Sequence, residues 1–341
     1  MSAINSILRA ATRKKDEPLN ILTYPTHERW QSNLSLTGHN FYLIQGQGIK
    51  TWNPIYSPLP DNHVLLNPNL GEHQLPPDVD FDCIISQNKM AHFKISKQIS
   101  DQLHINLVNI EHCLPHPSWG TDVIQQFKSM KGHRNIFISE FSRNSWGWNK
   151  DGAEIIVHGV DNEKFCPNDN LVEKKKHVLS VVNLFDSQER FWCCGFEFWK
   201  EAIKGLPYLH VGESKTNFSK PAKSIAELIM RYREAVVFCD TANASPVPSV
   251  LLEAMSCSCI VVTRANAMIP EIIKDNFNGF ICETPEKMNK KLKEILANPD
   301  GYEDIRKNAR QTIVDKFPLD KFVKSWDKIL RDTANVAWTG E

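Results

Sequence analysis

Apolar positions along this chain gather into short runs, and between many of them lie stretches whose apolar residues recur at helical spacing. In the first half, strands are predicted at 19–24 (LNILTY), 41–44, 64–66, 81–86 (FDCIIS), 105–110, 135–138 and 154–157, with helices over 28–36 and 89–103. Within 89–103, Met90, Phe93, Ile95, Ile99 and Leu103 fall mostly on one helical face. The interval 45–80 is rich in Pro, Asn and Gly and reads as loops around a sheet edge. The second half repeats the rhythm: strands at 177–183 (HVLSVVN), 208–211, 235–239 and 259–263 alternate with helices at 198–204, 224–232 and 250–256. Its ending differs, with helical segments at 286–297, 302–316 and 319–336 divided by Asn298-Pro299 and Phe317-Pro318. Strands apolar on both faces and joined through helices imply α/β architecture with doubly wound parallel sheets. The polar stretch 161–177, with its Pro and the charge run 173–176, reads as a solvated linker, so domains are expected at 1–170 and 171–318. Two such halves imply one interdomain cleft, with ligands beyond the carboxyl ends of the strands.

Length and composition agree with this picture. The 341 residues suit two domains, and 41% hydrophobic with 23% charged residues excludes a disordered chain or a fibrous rod. Forty basic residues balance forty acidic ones, which removes any global attraction for nucleic acid backbones or anionic membranes and leaves only a local polyanion site. The most apolar stretch, 248–263, is interrupted by Glu253 and is too short to span a bilayer. The opening MSAINSILRAATRKKDEP lacks the apolar core of a secretory signal. Nine cysteines without the spacing of a disulfide framework or paired zinc ligands are expected to be buried thiols in a reducing compartment, the cytoplasm.

The most informative stretch is 240–271, DTANASPVPSVLLEAMSCSCIVVTRANAMIPE. It reads as a strand end, a loop of small residues and proline, a helix opening with Ser249 as N-cap, a strand, and a second helix opening near Pro270. Two helix openings aimed at one space suit a diphosphate, because unsatisfied N–H groups and the positive dipole end point there. Glu253, one turn into its helix, either accepts hydrogen bonds from sugar hydroxyls or is an ordinary favourable carboxylate near a helix start.

At these residues the chain resembles the retaining glycosyltransferases of the GT-B fold, specifically the family 4-like, group 1 glycosyltransferases. PSVLLEAMSCSCIVVT followed by IPEIIKDNFNGFIC is similar to that family's donor-site helix, strand and Gly-Phe turn; IIVHGVDNEKFCP, LHVGES and TGHNFYLI match further family segments in the expected order. The resemblance implies two Rossmann-like domains facing across a cleft, with 319–341 returning to pack on the first. Carried over by position, Glu253 matches the second Glu of the family's donor pair, which holds the nucleotide ribose. Ser245 stands where the first Glu contacts the transferred sugar. Asn183 aligns with the family's phosphate-binding Arg, and Arg190 is the candidate for its Lys, the alternative being a surface arginine. The backbone of Ala267, Met268 and Ile269 would meet the diphosphate, with Glu271 behind it. His112, just past a strand end, is similar to the family's His beside the reacting sugar; otherwise it is structural. TYPTHERWQ replaces the family's Gly-Gly loop, and its His27, Glu28 and Arg29, with Arg143 and Asn144, are the acceptor-side candidates. Trp146 and Trp148 either stack on a sugar or base or pack in the core.

The implied reaction transfers a sugar, expected to be a hexose, from a nucleotide diphosphate sugar to a hydroxyl of a glycan, lipid carrier or small molecule, with retention. His112 and Arg190 are the catalytic candidates; Asn183, Ser245, Ser249, Glu253, Ala267, Met268, Ile269 and Glu271 bind the donor. No metal and no cofactor beyond the co-substrate are expected, since no DxD occurs in the donor loop and helix openings with a cation stabilise the leaving diphosphate. Two alternatives remain: a glycosyltransferase modifying nucleic acid bases, which the neutral charge disfavours, and a catalytically impaired nucleotide-sugar binder, which Ser245 motivates. Oligomeric state is open.

Overall fold

The computed structural model describes residues 3–46, 48–88, 90, 92–149, 152–167, 173–245 and 247–340. The boundary expected at 170/171 and the start of the predicted helix at Lys89 lie outside the described residues, as does Pro246 of the donor loop. The chain divides into two compact units, Met1–Val157 with Asp320–Glu341, and His158–Leu319.

Unit 1 contains, in chain order, α1 (Ala3–Thr12), β1 (Asn20–Thr23), α2 (Glu28–Ser35), β2 (Asn40–Leu43), β3 (His63–Leu65), β4 (Cys83–Ser86), α3 (Phe93–Leu103), β5 (Asn106–Glu111), α4 (Thr121–Ser129), β6 (Arg134–Phe137), α5 (Glu140–Ser145) and β7 (Glu154–Ile155). Among the described residues these strands form one parallel sheet in the order β3-β2-β1-β4-β5-β6-β7. Its inner strands are buried along their length, which is why they read as unbroken apolar runs. Leu22, Ile84, Leu107, Phe81 and Phe93 form a core on the sheet, and Phe137, Trp146, Trp148 and Ala153 form another beside β6.

The opening segment, for which no element was expected, holds α1, fastened by Arg9 and by Arg13 just after it, both of which donate to the buried Asp82 carboxylate. Helix α4 buries no residue fully; its apolar side is only the half-buried Val123, Ile124 and Phe127, and the sequence reading did not pick it out. The strand foreseen at 81–86 shortens to Cys83–Ser86, because the Asp82 side chain instead receives Asn20 N–H at 2.7 Å.

Unit 2 contains β8 (Lys175–Val181), α6 (Phe191–Cys194), α7 (Phe196–Ala202), β9 (Tyr208–Val211), α8 (Ile225–Glu234), β10 (Ala235–Asp240), α9 (Ser249–Ser256), β11 (Ile260–Thr263), α10 (Ile269–Ile272), β12 (Phe280–Ile281), α11 (Pro285–Ala297) and α12 (Glu303–Lys316). Its parallel sheet runs β12-β11-β10-β8-β9. Val237, Ile260 and Val262 of the sheet pack on Trp199 of α7 and on Met288, Leu292 and Ile295 of α11. The stretch 158–167 belongs to this unit: Ser256 Oγ donates to Phe165 O at 2.5 Å, and Arg310 Nη1 donates to Ser256 O at 2.6 Å.

Helix α13 (Leu319–Ala334) places Phe322, Trp326, Ile329 and Leu330 inward on unit 1. The Trp326 ring meets Trp30 edge-on at 5.3 Å, and Asn106 Nδ2 donates to Thr333 O and Val336 O at 2.8 and 2.7 Å. His39 Nε2 lies 3.1 Å from Asp327 Oδ1, while its Nδ1 accepts Leu19 N–H at 3.3 Å. Burial, with Arg331 adding to it, pushes the His39 pKa down to about 4, so it stays neutral at pH 7. Trp326→Ala should therefore destabilise unit 1 by about 3–5 kcal/mol, read as a fall in its denaturant midpoint.

Candidate functional site

The order β9-β8-β10-β11-β12 in unit 2 reverses direction between β8 and β10, and ligands of open α/β sheets bind outside the carboxyl ends of strands at such a switch point. The loops leaving β8 and β10 carry many of the predicted donor residues. Asn183 follows β8; its Oδ1 accepts Glu213 N–H at 3.0 Å, tying the β8 end to the β9 end. Arg190 Nη1 donates to the Asn183 carbonyl, so part of the expected phosphate clamp already holds its own loop. Gly212 has φ 153°, and a Cβ there would overlap the Val182 carbonyl, so only glycine lets these two loops meet. Asp186 receives Ser214 Oγ, Lys215 N–H and both groups of Thr216; desolvation pulls its pKa up, but these hydrogen bonds outweigh it and hold the carboxyl well below the usual range.

The loop after β10 hangs on the Cys193 carbonyl, which accepts Asn243 and Ala244 N–H at 2.7 and 3.1 Å. Ser245 follows, half-buried. Ser249 is not the N-cap of α9: Pro248 holds that position with no side-chain cap, and Ser249 is already the first helical residue. A capping oxygen must sit on the residue whose backbone has not yet turned helical, so from the next position the Ser249 hydroxyl cannot cap the first turn. Glu253 is buried at 6% exposure, and its Oε2 accepts the hydroxyl of the fully buried Tyr232 at 2.9 Å, which orients the carboxylate.

After β11, Ala267 adopts the left-handed region (φ 46°), and α10 is a single turn. Ile269 N–H is engaged by Asn266 O at 2.9 Å, and Glu271 N–H by Met268 O at 2.8 Å. The Glu271 side chain is exposed. Sequence reading missed Asp240, Tyr232, Asn243 and Arg264. Asp240 ends β10 fully buried, and its Oδ1 accepts Ala242 N–H at 3.1 Å; a carboxylate closing an apolar strand was the signal available. Burial pushes its pKa up to about 6.

In unit 1 the structure brings His27 and His112 together, their rings 4.1 Å apart. His27 precedes α2 in the left-handed region (φ 54°), and the buried His112 also meets Trp30 edge-on at 4.9 Å. Glu28 is buried, and its Oε1 accepts Asn53 N–H at 3.0 Å. Arg29 is partly exposed beside it, and Asn144 is exposed on α5. Arg143 is buried at 6% exposure; its Nη2 reaches Glu140 Oε1 at 3.2 Å, while Nε has no hydrogen-bond partner. Trp146 and Trp148 are core residues, and Trp146 Nε1 donates to Cys113 O at 2.8 Å, so neither offers a stacking face. All nine cysteines are free thiols. No helix among the described residues is long and apolar enough to cross a membrane.

Comparison with known proteins bears on this geometry. Residues 212–312 match the family described as glycosyl transferases group 1. A probable sucrose-phosphate synthase of Thermosipho melanesiensis is 20% identical over 271 residues, covering 71% of this chain and 61% of that protein, so the chain spans less than two thirds of this curated relative. Among solved structures, HepE (Alr3699) of Anabaena in complex with UDP and glucose superposes with a TM-score of 0.72 at 14% identity, covering 92% of this chain and all of that one. The sucrose-phosphate synthase of Thermosynechococcus elongatus gives 0.71 at 14% identity over 93% and 99%. A glycosyltransferase from Rickettsia africae gives 0.65 at 14% identity over 93% and 99%. The α/β fold of the chain, with its two parallel sheets, is thus the GT-B fold of these proteins.

The buried Asp240 carboxyl makes a measurable pH signature. Its folded pKa lies above the unfolded value, so the native state keeps the proton longer, and stability contributed at low pH is lost as pH rises from about 4 to about 6. Asp240→Asn should remove that loss and gain about 3 kcal/mol on the wild type between pH 4 and pH 7, read from paired denaturation curves; a pH-independent difference would refute the assignment.

Proposed function

We propose that this chain, a GT-B protein whose second unit carries a group 1 glycosyl transferase segment, moves a sugar from a nucleoside diphosphate sugar to a hydroxyl acceptor with retention at the anomeric carbon. The observation that carries the reading is Glu253. It is a buried carboxylate held by Tyr232, inside the matched segment and one turn into the helix that follows the switch-point strand β10. HepE is described in complexes with UDP and with UDP-glucose, which supports a hexosyl donor here as well.

In this reading Glu253 receives the ribose hydroxyls through hydrogen bonds to its carboxylate oxygens. The diphosphate lies against the 266–269 turn and Arg190, where preorganised donors meet the charge that develops as the sugar leaves. Asp186 positions that loop, its carboxylate being engaged by the β9 loop, and Asn183 is held there through its Oδ1, leaving its Nδ2 to face the donor. His27, Glu28, Arg29, Arg143 and Asn144 of unit 1 serve the acceptor side, and His112 is that unit's catalytic candidate. Ser245, shorter and neutral where the family has a glutamate, favours a second reading in which the nucleotide sugar is bound but not turned over. We place the protein in the cytoplasm and assign the leaving-group chemistry to its own residues without a divalent ion.

Titration with UDP, GDP and ADP, followed by a donor panel with mass detection of the product, tests the reading. Binding of a nucleoside diphosphate is expected, weakened about tenfold or more in Glu253→Ala, with a smaller effect of Ser245→Ala. Equal affinity in wild type and Glu253→Ala would remove the donor assignment, and binding without turnover under every acceptor would support the second reading. Activity should persist in excess chelator; a loss reversed only by manganese would overturn the metal-free chemistry.

A further inference from the structure

Arg264 is the first residue beyond β11, at the carboxyl edge beside β10, and the sequence pattern gave no reason to single it out. Its guanidinium stands 4.3 Å over the centroid of the Phe198 ring, and Nη1 donates to the Asn243 side-chain oxygen. A planar cation pinned between an aromatic face and an amide is set in position before any ligand arrives. Both partners are neutral. Among the described residues no carboxylate forms an ion pair with Arg264, and burial alone pushes its pKa down, with no acidic neighbour raising it. Elsewhere in unit 2 Arg231 bonds Glu227 and Glu234, Arg306 bonds Glu303, and Arg233 and Arg310 are spent on backbone carbonyls, whereas Arg264 makes one bond to a side-chain amide. A half-buried charge kept without a counter-charge, at the edge of the sheet where ligands bind, is suited to an anionic ligand.

The neighbouring geometry says which anion. Asn243, which holds the guanidinium, belongs to the loop after β10, and Asn266 Nδ2 donates to Ala242 O at 2.9 Å, so the β10 loop and the 266–269 turn are laced together around Arg264. Meanwhile Asn183 offers no charge where the family resemblance sets an arginine, and Arg190 spends a donor on the Asn183 carbonyl. We propose that Arg264 is a second cation, beside Arg190, that binds the diphosphate of the nucleotide donor and supplies from the β11 loop the charge that Asn183 lacks in the β8 loop. The inference rests on the donor reading above and adds a phosphate-binding residue to it.

Calorimetric titration of the 341-residue protein with UDP, GDP and ADP, and with the corresponding nucleosides, tests it. Arg264→Gln should lose about 10- to 100-fold in affinity for the diphosphate that the wild type binds, while affinity for the matching nucleoside changes less than about twofold. Arg264→Lys should recover part of the loss, since it keeps the charge but not the fork. Added salt should weaken diphosphate binding more in the wild type than in Arg264→Gln. Unchanged diphosphate affinity in Arg264→Gln, or an equal loss for diphosphate and nucleoside, would overturn the inference while leaving the donor reading standing. Wild-type protein that binds no nucleoside diphosphate would overturn both.

Discussion

A parallel sheet leaves the carboxyl ends of all its strands on one edge, and in unit 2 that edge is held together by side chains, because the loops leaving it have little regular structure of their own. Asn183 bonds the backbone of Glu213, the Cys193 carbonyl holds Asn243 and Ala244, Asn266 bonds the Ala242 carbonyl, and Asp186 gathers three residues of the β9 loop. The candidate donor site depends on this lacing. Without it the 266–269 turn and Arg264 would stand on loops with no common frame with Glu253 of α9, and preorganisation is what a site for a developing charge requires. Glycine serves the same end: a Cβ on Gly195, at φ 72°, would overlap the Thr241 carbonyl and push the β10 loop away from α7.

Unit 1 solves a different problem, that of burying many polar and aromatic side chains beside one another. His39, His63 and His92 are each pushed down to about 4 by burial, which keeps them neutral as hydrogen-bonding members of the core. Tyr24 stacks on His92 at 3.9 Å and bonds Ser96 Oγ at 2.8 Å, and Trp30 bridges α13 to His112. His112 is thus backed by a rigid aromatic layer on one side while His27 lies across it, exposed. The two come from loops after β1 and β5, strands separated in the sheet by β4 alone.

Much of the architecture was legible in the chain because doubly buried strands leave an unmistakable apolar run and the intervening helices leave a stripe. The strands at 208–211 and 235–239 and the helices of the C-terminal third lie within a residue or two of their predicted places. Elements that bury little were not legible: α4 exposes all its faces in part, and α5 and α6 are too short to show a period. The same limit applied to caps, where Ser249 had the right chemistry one position too late.

The residues alone determined the alternation of strands and helices and the GT-B likeness, and singled out Glu253 as a candidate, because these rest on local pattern and on the order of segments along the chain. Tertiary structure decided which of several similar groups face one another. It set Tyr232 on Glu253, committed Asn183 to Glu213 and Trp146 to the core, and left Arg264 between Phe198 and Asn243 with no acid paired to it among the described residues. Those pairings join residues distant in the chain, and both burial and charge neutralisation depend on neighbours in space, which sequence spacing does not encode.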